Sequence, residues 1–179
     1  MKINNYSYSS EALRLNLDNG IIEIKPVTYN ILRIRYTLQD SFSARESLMC
    51  VPLPKIPISF DLKETQKYLS LRTKKIELRI DRDTSAFTYC DANGNILAKE
   101  PEKGGKTLIP VDLVKTVFDE NSEVETDSSV DGMRSHAKNY RKVVDRKSYH
   151  TKLEFEWDDD EALYGLGSHE EGIMNLRGH

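Results

Sequence analysis

Apolar and polar residues alternate with a period of two along most of the chain, the signature of strands with one buried face. Leu13, Leu15 and Leu17 share one parity and run into Asn19-Gly20, a strong turn signal. Ile22 and Ile24 resume the pattern up to Pro26, where a central strand would lose an amide donor. Leu32, Ile34, Tyr36 and Leu38 then alternate with Arg33, Arg35 and Thr37, which predicts a half-buried strand. Residues 41–57 carry Pro52, Pro54 and Pro57 and are predicted as an extended connection or an edge. Leu69 and Leu71 differ in parity from Ile76, Leu78 and Ile80, so a bulge or a break is expected near residues 73–75. Phe87 and Tyr89 open a further strand, and Asp91-Ala92-Asn93-Gly94-Asn95 turns it into Ile96 and Leu97, the clearest hairpin in the chain.

The second half is less regular. Residues 101–105 have turn composition, residues 112–118 fit a short helical turn or a Val-rich strand, and the acidic stretch 119–132 is expected as an exposed loop. The longest alternation comes last. Tyr149, Thr151, Leu153, Phe155 and Trp157 lie on one face and His150, Lys152, Glu154 and Glu156 on the other, with Asp158-Asp159-Asp160 ending the strand. This pattern predicts Leu153, Phe155 and Trp157 as core. Helical periodicity is weak throughout, and there is no internal repeat. Many short strands separated by turns predict an all-β fold, an antiparallel β-sandwich, as one domain over residues 1–179.

A chain of 179 residues can bury a core without disulfides or metals. It is too short for a (β/α)₈ barrel, which needs about 250 residues. With 26 basic against 29 acidic residues there is no basic surplus of the kind that binds nucleic acid, and no such partner is expected. No apolar run approaches the ~20 residues of a membrane helix, and the first residues lack a signal peptide's apolar stretch, so no membrane partner is expected either. Cys50 and Cys90 are two free thiols or one bridge; their positions leave both open.

Several residues invite chemistry. His169-Glu170-Glu171 resembles the start of a zinc-protease helix, but Ile173 stands where the second histidine is required, and His179 shares no helix face with His169. Carboxylates gather at Glu154, Glu156 and residues 158–160. A glycosidase needs two carboxyls about 5–5.5 Å or 6.5–9.5 Å apart across a pocket. Two glutamates on the polar face of one strand make a solvated face instead. Trp157, the single tryptophan, would stack on a sugar if exposed, yet its parity places it with Leu153 and Phe155. His136 and His150 are the candidates for acid–base chemistry of the aldose-mutarotase kind, though neither lies in a motif. Gly165-Leu166-Gly167 lacks the Lys-Ser/Thr of a phosphate loop and fits a close backbone passage. No catalytic, cofactor-binding or metal-ligating residue is therefore assigned within the chain, and no cofactor is expected.

Glu161-Ala162-Leu163-Tyr164-Gly165-Leu166-Gly167 and the following Gly172-Ile173-Met174-Asn175-Leu176-Arg177-Gly178 resemble the segment that closes the N-terminal domain of family 31 glycoside hydrolases of the α-glucosidase/α-xylosidase type. The order of the strands from Lys75 to Leu97 and the Asn93-Gly94 turn is similar to the family's middle section. The resemblance implies a galactose-mutarotase-like sandwich and a larger parent enzyme that hydrolyses α-glucosides or α-xylosides with retention. The family's two catalytic aspartates sit in a barrel that would follow His179, so none carries over and the chain alone is expected to be inactive. The implied partners are the catalytic barrel of the same polypeptide and the parent's oligosaccharide substrate. Two other functions remain: a free-standing carbohydrate-binding sandwich and a mutarotase-like epimerase. In the closing run, residues 163–166 are expected to pair with a sheet, and Ile173, Met174 and Leu176 to stay partly exposed.

Overall fold

The computed structural model describes residues 1–45, 49, 56–119, 121–165, 167 and 172–178. The chain divides into two compact units, Met1–Gly105 with Leu153–His179, and Lys106–Lys152.

The first unit is an all-β sandwich. Its four-stranded sheet runs β1 (Ile3–Tyr8), β2 (Leu13–Leu17), β3 (Ile21–Thr28) and β4 (Ile31–Thr37) in that spatial order. The facing sheet is β5 (Asp61–Glu64), β6 (Tyr68–Arg72), β7 (Ile76–Asp81), β8 (Phe87–Asp91) and β9 (Ile96–Lys99), again in sequence order and antiparallel. The predicted alternation is what builds the core. Leu13, Leu15, Leu17, Ile22 and Ile24 from one sheet meet Leu69, Leu71, Leu78, Ile80 and Phe87 from the other in a single buried cluster. Side chains two apart on a strand share a face, so one face of each sheet leaves water and the other stays polar.

Local chemistry sets the turns. Gly20 takes φ +95° and its carbonyl accepts from the Leu17 amide, closing the β2–β3 hairpin at the predicted Asn19-Gly20. The parity change near residue 73 is the expected break rather than a bulge: a tight hairpin separates β6 from β7. The Thr73 hydroxyl accepts from the Lys75 and Ile76 amides and donates to the Tyr29 carbonyl, tying this turn to the β3–β4 turn of the other sheet. In the β8–β9 turn one Asp91 carboxylate oxygen accepts from the amides of Asn93 and Asn95, while Gly94 adopts φ +90°. Strand β3 continues through Pro26, because β2 has already ended: its last partnership is Leu13 with Ile24.

Two strands carried no readable pattern. β1 holds Asn4, Asn5 and Ser7 and buries only Ile3, and β5 buries no side chain fully. Both are sheet edges, where half of the ladder faces away and alternation is weakly demanded.

The second unit consists of two ribbons. β10 (Lys106–Phe118) pairs with β13 (Tyr140–Leu153), and β11 (Val124–Ser129) pairs with β12 (Gly132–Ala137). Residues 112–118 are strand, resolving the two sequence alternatives. Among the described residues of 119–132, 119 and 121–123 lie outside any strand as expected, but from Val124 the segment is no loop: main-chain pairing from Val124↔Ala137 to Ser129↔Gly132 makes it an exposed hairpin. A ladder needs only backbone groups, so a polar sequence does not prevent it.

The last alternation is where expectation and structure part. β13 ends at Leu153, before the aspartate triplet, and Leu153, Phe155 and Trp157 are 58%, 45% and 42% exposed, whereas Glu154 is half-buried. Beyond β13 the Glu154 and Glu156 amides donate to the Gly105 and Lys99 carbonyls, and Phe155 stands 6.3 Å from Tyr89. Alternation names a side; burial also requires a second layer over that side, and a period of two says nothing about whether one exists.

Candidate functional site

The outward face of the five-stranded sheet holds the most organised polar cluster among the described residues. Ser70 and Arg79 alternate with core residues on β6 and β7, so their side chains point away from the core. The Ser70 hydroxyl donates to Glu77 Oε1 at 2.6 Å and the Arg79 guanidinium to Glu77 Oε2 at 3.1 Å. Arg79 Nε is buried without a hydrogen-bond partner. Cys90, on β8 beside Glu77, is a buried free thiol that burial pushes up; its possible partner Cys50 lies outside the described residues. Next to this cluster lies an open groove of about 780 Å³, lined by Tyr68, Arg79, Thr88, Lys99 and the 81–84 turn. Burial and the Glu100 carboxylate raise the Tyr89 phenol on the opposite, core-facing side.

The Arg79 hydrogen bond, opposed by partial burial and helped by Ser70, holds the Glu77 carboxyl below its ordinary 4.5. A depressed folded-state value means that ionised Glu77 stabilises the fold above the unfolded-state value, and that this contribution disappears as pH falls through the folded one. Glu77→Gln is expected to cost about 1.5–3 kcal/mol at neutral pH, the scale of hydrogen bonds to a charged group. The gap from wild type should close in acid. Urea titrations across that range check this; a gap independent of pH would remove the charge from the account.

A second network joins the two sheets at their edges. Tyr6 of β1 donates to Glu64 of β5 at 2.6 Å, and Arg82 donates to the same carboxylate. The Tyr6 and Arg82 hydrogen bonds lower the Glu64 carboxyl, and the bond to Glu64 raises the Tyr6 phenol. Neither network was foreseen, since both depend on strand order rather than on sequence spacing.

The residues singled out from sequence are not gathered into a pocket. His136 on β12 approaches Glu125 of β11 at 3.8 Å, the histidine–carboxylate pairing that epimerase chemistry uses, but both side chains are more than half exposed. His150 lies on β13, an exposed position on a different ribbon. Glu156 is taken by Lys99 at 2.8 Å, and the two glutamates of residues 154–156 face no groove wall in common. Trp157 is exposed rather than core. His169 and His179 fall outside the described residues, and among those described no group of three or more His, Cys, Asp or Glu side chains is placed to hold a metal ion. No helix of the described chain is long and apolar enough to cross a membrane.

The closing run forms a clasp. Leu176 donates its amide to the Leu163 carbonyl at 2.7 Å, and Asn175 Oδ1 accepts from the Leu163 and Arg177 amides. Arg177 Nη1 reaches the carbonyls of Asp158, Asp159 and Glu161. The expected sheet pairing of residues 163–166 is not found: the described part is no strand, and Leu163 pairs with the tail itself. Ile173 and Met174 are exposed as expected, whereas Leu176 is buried, because the Arg177 and Asn175 bonds fold the run back on itself. The described residues of the glycosidase-like run are thus held by one side chain that caps backbone carbonyls, Arg177, and one that caps backbone amides, Asn175.

A family model described as the glycosyl hydrolase 31 N-terminal galactose mutarotase-like domain matches residues 21–179, nearly the whole chain. The chain belongs to this family. Solved structures with a similar fold include two family 31 enzymes. One is the family 31 α-xylosidase of Xanthomonas citri, at 22% identity and a TM-score of 0.67 over 94% of this chain and 15% of that one. The other is a family 31 α-xylosidase from a soil metagenome, complexed with xylose, at 17% identity and a TM-score of 0.60 over 98% of this chain and 24% of that one. The chain therefore spans about a seventh to a quarter of the length of those proteins. Within this glycosyl hydrolase 31 domain the clasp residues 158–163 and 175–177 lie in the matched region, as does the sandwich core apart from β1 and β2. The galactose-mutarotase-like fold expected from the resemblance is the fold observed.

Proposed function

We propose that this chain is the non-catalytic N-terminal domain of an α-glycosidase, packing against the catalytic domain of the same polypeptide and helping to shape its sugar site. The match to the family's N-terminal domain over residues 21–179 carries this proposal. The two similar structures, both α-xylosidases, favour α-xylosides as the parent's substrates, with α-glucosides as the second class. The domain would act by presenting a surface: its Glu77 and Glu64 carboxylates are engaged in holding strands together. Purified chain is expected to release no nitrophenol from nitrophenyl α-xyloside or α-glucoside, and a longer polypeptide containing it to do so. Turnover by the 179-residue chain that is abolished by substituting one of its own carboxylates would overturn the proposal. The groove beside Tyr68, Arg79 and Lys99 is the feature that favours a carbohydrate-binding sandwich instead. Oligosaccharide binding by the isolated chain, lost in Tyr68→Ala, would support that second reading.

A further inference from the structure

The β10–β13 ribbon is built unlike the sandwich. It is two strands wide and 13 and 14 residues long, and it carries apolar side chains on both faces. Val114, Phe118, Tyr140 and Val144 are all between 55% and 58% exposed, and Phe118 and Tyr140 stack edge-on at 6.4 Å, which puts them on one face. Ile109 and Leu113, of the other parity on β10, are exposed as well. On the first face a groove of about 470 Å³ opens between the ribbon residues Thr116, Phe118, Tyr140 and Lys142 and the hairpin residues Ser135 and His136. A two-stranded ribbon is marginal in water without a covering layer, and clustered exposed apolar side chains mark an interface.

We infer that this ribbon is the docking element of the domain, and that its occupant is the remainder of the longer glycosidase polypeptide, seated on the Val114–Phe118–Tyr140–Val144 face with an apolar side chain in the groove. The inference rests on the proposed function and adds to it the surface used. One observation and one physical argument choose this occupant over a second copy. The matches to the two α-xylosidases leave too few residues uncovered to hold either strand, so a counterpart of the ribbon sits inside chains several times longer. A partner on the same polypeptide is also present at an effective concentration on the order of millimolar, which outcompetes a separate copy at ordinary protein concentration. The polar pair Lys115–Asp145, at 2.9 Å, sits on the strands at the other parity and fixes register without occupying the docking face.

Hydrogen exchange tests the assignment by comparing the 179-residue chain with a longer polypeptide that contains it. Amides of β10 and β13 are expected to exchange about a hundredfold or more slowly in the longer polypeptide, as a covered element does. Those of β2, β3, β7 and β8 should be equally protected in both. Val114→Lys with Phe118→Lys in the longer polypeptide should return the ribbon to fast exchange and leave the sandwich unchanged. Equal ribbon protection in both chains overturns the inference. So does protection of the short chain that grows with its concentration, which assigns the face to a second copy. Glycosidase activity of the longer polypeptide separates the two proposals. An active polypeptide with an unprotected ribbon defeats the docking assignment alone, and an inactive one with a protected ribbon defeats only the glycosidase reading.

Discussion

Phe87→Ala is expected to lower the stability of the sandwich by about 3–5 kcal/mol, the range for a truncated buried aromatic. Phe87 is fully buried at the start of β8 and meets leucines and isoleucines of both sheets. Its ring stands edge-on to Tyr89 at 6.1 Å, an arrangement that adds to the area buried. The backbone around it is pinned as well: its amide donates to Glu100 Oε2 and its carbonyl accepts from the Glu100 amide. The surroundings cannot collapse into the space the ring leaves, so the loss falls in the upper part of the range. Phe155→Ala is the matched control. That ring is 45% exposed and leans on Tyr89 at 6.3 Å, so its removal should cost about 1 kcal/mol. Urea denaturation of both variants checks this, with the midpoint falling and the slope unchanged. Equal losses would mean that the face carrying Phe155 is covered in solution.

Gly20→Ala should be nearly as damaging for a different reason. At φ +95° an L side chain is strained, and a Cβ there would run into the Thr37 carbonyl, with the Tyr36 ring edge 3.1 Å away. Thr37 is paired with Ile21 in the β3–β4 ladder, so its carbonyl cannot retreat without opening the sheet. Backbone strain of about 1–2 kcal/mol and overpacking of about 1–3 kcal/mol together predict a loss of about 2–5 kcal/mol. Gly94→Ala isolates the first of these. Its φ is +90°, but its Cβ would meet nothing nearer than Arg79 Nη2 at 3.7 Å, a flexible side-chain tip. It should cost about 1–2 kcal/mol, the strain of an L residue in the left-handed region and nothing more. Thermal or chemical unfolding in which the two alanine variants fall together would show that strain alone, and not the Thr37 contact, governs the β2–β3 turn.

The sandwich was legible because its signals are local and redundant. Leu13, Leu15, Leu17, Ile22, Ile24, Leu78 and Ile80 each obey the two-residue period, and Asn19-Gly20 and the 91–95 turn punctuate them where the hairpins form. The closing run from Glu161 to Gly178 was recognisable as a pattern, and the family match bears it out. Its structure was not recognisable. Nothing in the spacing says that Arg177 caps three carbonyls sixteen to nineteen residues back, or that Leu176 is buried while Ile173 is exposed. The Ser70–Glu77–Arg79 cluster shows the same limit, since β6 and β7 must pair at a given register before those side chains meet.

By itself the sequence determined the strand class, most of the core, two hairpin turns of the sandwich and membership of a glycosidase family, because each depends on residues close in the chain or on a contiguous motif. Only the tertiary structure decided what covers what. Leu153, Phe155 and Trp157 alternate as well as any core strand, yet they face outward, and the apolar ribbon residues Val114 and Phe118 do so too. A side chain's face follows from backbone geometry within a few residues. Its burial follows from the arrival of a second layer from elsewhere in the chain, a long-range event that the local pattern does not encode.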